Sequence, residues 1–216
     1  MRLLMEERTV ENGKVENLGD VPSPIDLRQM ADAAEWAAVA MEKRPWRVEF
    51  FGRFAHELAG ACRVLELGSG PGFLARHLLE RLPQLRLELF DFSEAMHQLA
   101  RERLGVLAER ADFRLGSFRE ADWARGLPLY DAVITHQAAH EVRHKRHLPT
   151  LHRQARSLLR PGAPYLMCDH YAGGDGMAND QLYATVEEQE AALRQAGFGD
   201  VALLMRQGGL AFFRAV

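Results

Sequence analysis

Residues Val64 to Gly72 read VLELGSGPG, and this stretch constrains the fold more than any other. A short apolar run carries an acid, Glu66, near its end. Three glycines at alternate positions follow, and a helical pattern of apolar residues begins at Phe73. That order describes a strand, a tight turn and the N-terminus of a helix. Gly68, Gly70 and Gly72 let the backbone take positive φ and let a ligand approach the main chain. The spacing is G-x-G-x-G, whereas a dinucleotide turn reads G-x-G-x-x-G.

Downstream, strand and helix signals alternate. Val64 to Leu67 is the first expected strand, and Phe73 to Leu82 a helix stopped before Pro83. Leu85 to Asp91 is the second strand, and Ser93 caps the next helix. Asp112 to Leu115 is a weaker third strand and Tyr130 to Thr135 a fourth. Pro149 starts a helix, and Ala163 to Asp169 is the fifth strand. Thr185-Val-Glu-Glu188 is a capping box opening a helix that closes at Gly197. Val201 to Met205 and Leu210 to Arg214 flank Gly208-Gly209 as a closing hairpin. This alternation predicts an α/β fold with a doubly wound, mostly parallel sheet and a C-terminal antiparallel hairpin. Before it, residues 1–22 read as a polar arm. Ser23, Pro24 and Asp26 read as a helix start. A second helical pattern runs through Phe50, Phe51, Phe54 and Leu58. Residues 1–60 are thus an expected arm and helical cap, and 61–216 the sheet domain.

The chain has 216 residues, 47% of them hydrophobic, enough for one domain with a real core. A net charge of -3 demands neither nucleic acid nor an anionic membrane. Two cysteines, Cys62 and Cys168, are too few for a disulfide framework and fit a reduced, cytoplasmic setting. The first residues lack the apolar core of a signal peptide. No segment nears the roughly 20 apolar residues of a membrane span.

The E-x-G-x-G-x-G form of Glu66 to Gly72 resembles motif I of the class I methyltransferases, which bind S-adenosylmethionine. The resemblance extends over about Arg63 to Val216. LELFDFSEAM places Asp91 at the end of the second strand, where the family keeps an acid for the ribose hydroxyls. LLRPGAPYLMCDH resembles its Pro-Gly turn and fifth strand, and EEQEAALRQAGF the helix and turn before its last strands. The resemblance implies a Rossmann-like fold and S-adenosylmethionine as cofactor. It implies cofactor contacts from Glu66, Gly68, Ser69, Gly70, Gly72, Asp91, Phe92, Met96 and His136. Where the family often has Gly-Asp after the third strand, this chain has Gly116-Ser117-Phe118. Ser117 and Phe118 are the expected adenine contacts, with Asp112 or Asp122 as alternatives.

Ligands in open parallel sheets sit beyond the carboxyl ends of the strands. The fourth strand runs into His136, His140 and Glu141, and the fifth into Asp169, His170 and Tyr171. Five of the nine histidines lie between His136 and His152. Methyl transfer needs a base only if the acceptor must lose a proton. His140 with Glu141 is the first candidate and His170 the second. His140-Glu-Val-Arg-His144 also matches H-E-x-x-H, the zinc-protease motif, which needs both histidines on one helical face. Its place after a parallel strand, its basic flanks and the lack of a third ligand marked by spacing speak against that chemistry, and no metal is expected. Arg143, Lys145, Arg146, Arg153, Arg156 and Arg160 read as a solvated face, with steering of an anionic substrate or RNA as the sharper alternative. Trp36, Trp46, Arg47, Phe50 and Phe51 are candidates for an aromatic and cationic lid. The glycines between Tyr171 and Asp180 suggest a mobile specificity loop.

The expected activity is methyl transfer from S-adenosylmethionine to a small molecule. The alternatives are a cofactor-binding module without transfer and an RNA methyltransferase. An NAD(P) oxidoreductase is disfavoured by the glycine spacing.

Overall fold

The computed structural model describes residues 19–216. Most of the expected N-terminal arm, residues 1–18, lies outside them. Seven strands form one sheet in the order β3-β2-β1-β4-β5-β7-β6. They are β1 (Arg63–Leu67), β2 (Arg86–Asp91), β3 (Ala111–Leu115), β4 (Ala132–His136), β5 (Tyr165–His170), β6 (Val201–Gln207) and β7 (Leu210–Ala215). The first five pair in parallel, and β7 runs antiparallel between β5 and β6. The doubly wound sheet and closing hairpin expected from the sequence are therefore present. From β1 the chain winds outward to β2 and β3, then returns to place β4 on the other side of β1. That reversal opens a crevice at the carboxyl ends of β1 and β4.

Side chains alternate between two core layers along each central strand, as a pleated strand requires. Leu65, Val133, Tyr165 and Met167 face one cluster; Val64, Ile134, Leu166 and Cys168 face the other. Helices α2 (Arg47–Glu57), α3 (Phe73–Arg81) and the end of α4 (Glu94–Leu104) cover the second layer through Phe50, Phe54, Leu74, Leu78 and Leu104. Helices α5 (Leu148–Ser157) and α6 (Val186–Gln195) cover the first through Leu151, Ala155, Ala192 and Leu193. Ser93 caps α4 by accepting from the Met96 N–H at 3.1 Å. Thr185 and Glu188 close both halves of the capping box on α6.

One helix start is corrected. Helix α1 spans Met30–Lys43, and residues 23–29 form bends and turns. The Ser23 hydroxyl donates to the Ile25 carbonyl, and Asp26 takes the Arg28 N–H and guanidinium instead of capping a helix. The Leu27 carbonyl is drawn onto the Ser93 hydroxyl at 2.5 Å. These bonds turn the segment into a strap across the crevice. Its near end is fixed to Arg143, which donates from Nε to the Val21 carbonyl at 2.8 Å and from Nη2 to the Pro22 carbonyl at 2.6 Å.

Candidate active site

The crevice is a cavity of about 1320 Å³, floored by the glycine turn and roofed by the strap and α1. The turn is stitched to β2. Gly68 and Ser69 both donate their N–H groups to the Phe90 carbonyl, at 2.8 and 3.2 Å. Asp91 holds the turn from below, accepting from the Gly70 N–H at 2.8 Å and the Ser93 N–H at 3.0 Å. Each of its oxygens keeps a second lone pair for a ligand. Gly68 has φ +68°, and a Cβ there would overlap the Ala138 methyl. Gly72, with φ +77°, is the N-cap of α3, and a Cβ would press on Ala100 of α4 at 3.1 Å. The first glycine thus keeps the turn against the segment that follows β4, and the third lets two helices meet.

Glu66 lies buried beneath this turn with Oε2 unpartnered, and the Ser69 hydroxyl is likewise unpartnered. Burial, and then the Asp91 charge, push the Glu66 carboxyl well above the usual carboxylate range. Burial also brings Asp91 up to about 6 against the pull of its backbone donors. Phe92, Met96, Ser117 and Phe118 line the same end, whereas neither Asp112 nor Asp122 does. The bare glycine backbone, the orphaned Glu66 Oε2 and Ser69 hydroxyl and the free lone pairs of Asp91 fit a ligand with an amino acid end and a ribose. S-adenosylmethionine has both.

At the other end, β4 and β5 deliver the histidines. The register pairs His136 with Cys168, so the residues after both strands emerge side by side. Gln137, at φ +55°, turns the chain; its side-chain amide meets His170 Nε2 at 2.9 Å. His140 follows on a 3-10 turn, Ala139–Val142. Its Nδ1 lies 2.7 Å from Asp169 Oδ1, and its backbone N–H donates to Asp169 Oδ2 at 2.7 Å. Glu141 stands 3.4 Å from His140 Nε2 and 3.0 Å from Arg143 Nη1. Burial alone would lower the His140 pKa. The Asp169 charge and hydrogen bond outweigh it, aided by Glu141, and push it up to about 10. His170 has no such hydrogen bond, and burial brings it down to about 4. Burial and the nearby Arg47 charge bring His136 to about 3, with its ring edge-on to Phe51 at 5.1 Å. Tyr183 completes the wall, 5.2 Å from the His140 ring and 5.7 Å from His170.

The structure sorts the remaining candidates. Trp36, Arg47 and Phe51 line the cavity. Phe50 is buried against Phe212, and the Trp46 indole covers Gly208. His140 and His144 do not share a helical face. Arg143, at φ +68°, separates the 3-10 turn of His140 from the next one, Lys145–His147. His144 caps that second turn, its Nδ1 accepting from the Arg146 N–H at 3.1 Å. Much of the basic stretch is neutralised locally: Arg143 meets Glu141, Lys145 meets Glu188, Arg146 meets Asp20 and Arg160 meets Asp131. The glycine-rich loop after β5 is laced by Met177 N–H to the Tyr171 carbonyl at 2.7 Å and by Tyr171 hydroxyl to Asp175 at 2.5 Å. Gln137, Tyr183 and the strap were not expected as parts of the site, and Asp169, expected at the end of the fifth strand, was given no role there. Only Asp169 carried a signal, as an acid ending an apolar strand that must find a partner when buried.

Comparison with known proteins agrees with this geometry. Residues 64–162 match a family model described as a methyltransferase domain. The trans-aconitate 2-methyltransferase of Mycolicibacterium gilvum is 44% identical over 80 residues, 37% of this chain and 28% of the relative. That of Mycobacterium tuberculosis is 39% identical over 85 residues, 39% of this chain and 29% of the relative. The matches thus span under a third of those relatives' length. Among solved structures, human N-acetylserotonin methyltransferase in complex with SAM aligns with a TM-score of 0.69 at 19% identity, over 88% of this chain and 56% of that one. The DhpI-SAH complex aligns at 0.63 and 22% identity, over 88% and 95%. These structures share the fold. The match to a methyltransferase domain covers a little under half of the chain and agrees with that fold.

Proposed function

We propose that this chain transfers a methyl group from S-adenosylmethionine to a small-molecule nucleophile. One observation carries the reading. A single cavity joins the Glu66–Asp91 glycine turn to the His140–Asp169 pair across the switch point of the sheet. Gly68, Ser69, Gly70 and Gly72, with Glu66, would hold the cofactor's amino acid end, and Asp91 its ribose. Phe92, Met96, Ser117 and Phe118 would surround the adenine, and His136 would stand near the sulfonium. When bound, the cofactor supplies an electrophilic methyl group on a positive sulfur.

His140, Glu141 and His170 would face the acceptor. Held protonated by Asp169, His140 offers the acceptor a positive charge at neutral pH rather than a proton sink. That favours an acceptor that arrives ionised, for which no base is needed. The rate then rests on orientation, worth roughly 7–11 kcal/mol when two reactants are well aligned. The names of the mycobacterial relatives also support a small organic acceptor, and the free cysteines support a cytoplasmic setting. Incubation with S-adenosylmethionine and a panel of small organic acids, read by mass spectrometry, tests this. The expected result is S-adenosylhomocysteine with one acid gaining a methyl group. Binding without turnover across acids, alcohols and amines would instead favour a cofactor-binding module.

A further inference from the structure

Arg47 is a buried cation without a counter-ion. Its side chain is 4% exposed, and it pairs with no described carboxylate. Nη1 donates to the Ala40 carbonyl at 3.0 Å, while Nε is buried with no partner. The guanidinium lies over the Trp36 ring, 5.7 Å from its centroid. The edge formed by Nε and Nη2 is the one that grips a carboxylate with two parallel hydrogen bonds, and here it makes no hydrogen bond to the described residues. Arg44, the C-cap of α1, lines the same cavity and also forms no ion pair. The two positive charges are felt at His136 and His170, which places them at the reacting end. Of the acids lining the cavity, Asp20 pairs with Arg146, Asp26 with Arg28 and Glu141 with Arg143; Asp32, Glu66, Asp91 and Glu120 line it too, and none of these forms an ion pair with Arg44 or Arg47. A buried guanidinium without an anion is costly, so this arrangement suits a pocket whose ligand brings the negative charge.

We propose that Arg44 and Arg47, at the junction of α1 and α2, bind a carboxylate of the methyl acceptor, which is therefore a small carboxylic acid. This rests on the methyl-transfer reading above. The other source of a carboxylate in this cavity is the cofactor's own amino acid end, and the experiment separates the two.

The full chain, saturated with S-adenosylhomocysteine, is titrated calorimetrically with succinate, citrate and benzoate and with their amides. At least one acid should bind, and its amide should bind about tenfold or more weakly. Arg44→Met and Arg47→Met should each weaken the acid by about tenfold or more, with Arg47→Lys recovering part of the loss. Affinity for S-adenosylhomocysteine should not change. Thermal melts check folding, and half-buried Arg44 carries the test if Arg47→Met unfolds the chain. The inference is overturned if no acid binds, if acids and amides bind alike, or if both folded variants bind the acid as the parent does. It is also overturned if either variant loses S-adenosylhomocysteine affinity, since the carboxylate held there is then the cofactor's. Failure of the parent to bind S-adenosylhomocysteine would instead sink the methyl-transfer reading itself.

Discussion

His140 and Asp169 are joined twice: ring Nδ1 to Oδ1 and backbone N–H to Oδ2, both at 2.7 Å. One carboxylate therefore fixes both the ring and the turn that carries it. The pair sets the protonation state of the ring at the β4–β5 end of the cavity.

The ring's proton is the first consequence. His140 is pushed up to about 10 in the fold, above the ordinary imidazole value of about 6.5. Its contribution to stability is fully present below about pH 6.5 and is lost as pH rises through about 10. NMR titration should find the His140 ring still protonated at neutral pH. In Asp169→Asn, burial then dominates and the ring should titrate below about 6.5. A His140 midpoint near 6.5 in both proteins would contradict the pairing.

His152 gives the opposite sign. Its ring is fully buried beside Tyr165 with neither nitrogen partnered, and burial brings its pKa down to about 3. The unfolded chain binds the proton first, so this group erodes stability as pH falls below about 6.5. The slope approaches roughly 1.4 kcal/mol per pH unit. Urea unfolding at about pH 6.5 and pH 5 should show a larger acid loss in the parent than in His152→Phe. Equal losses would mean the ring is not held neutral.

Two glycines of one turn should respond differently. Gly68→Ala meets the Ala138 methyl at positive φ, whereas a Cβ at Gly70, also at positive φ, meets nothing within 4 Å. Backbone strain alone costs about 1–3 kcal/mol. Gly70→Ala should stay within that range, and Gly68→Ala should exceed it, as read by chemical denaturation. Equal costs would show that Ala138 does not press on the turn.

The strap depends on Arg143. Arg143→Met removes the guanidinium bonds to the Val21 and Pro22 carbonyls and the link to Glu141, while keeping much of the apolar stem and the backbone bond from the Val21 N–H to the Arg143 carbonyl. Limited proteolysis should cut residues 19–28 faster, and hydrogen exchange there should rise by about tenfold or more, the loss of one or two charge-assisted hydrogen bonds. Unchanged protection would place the hold elsewhere.

What the sequence showed and hid follows from the range of the interactions. The glycine turn, the Ser93 cap and the Thr185–Glu188 box are set by residues a few positions apart, and all three were legible. Ser23, Pro24 and Asp26 made an equally good local signal. It lost to contacts with Ser93 and Arg143, tens of residues distant. Trp36 and Trp46 carry the same aromatic signal, yet one faces the cavity and the other packs on Gly208 of the hairpin. Glu141 was the expected partner of His140 because it is adjacent in sequence. Asp169 is the tighter one, because the β4–β5 register brings the ends of two strands together. The H-E-x-x-H letters fit a helix that Arg143 interrupts.

The Glu66–Asp91 glycine turn is the proposed cofactor site. Calorimetric titration of S-adenosylhomocysteine into the parent and Asp91→Ala tests it most directly. The parent should bind at sub-millimolar concentration, and Asp91→Ala, folded by circular dichroism, should bind about tenfold or more weakly. No binding by the parent, or equal binding by both, would mean that this turn does not hold the cofactor.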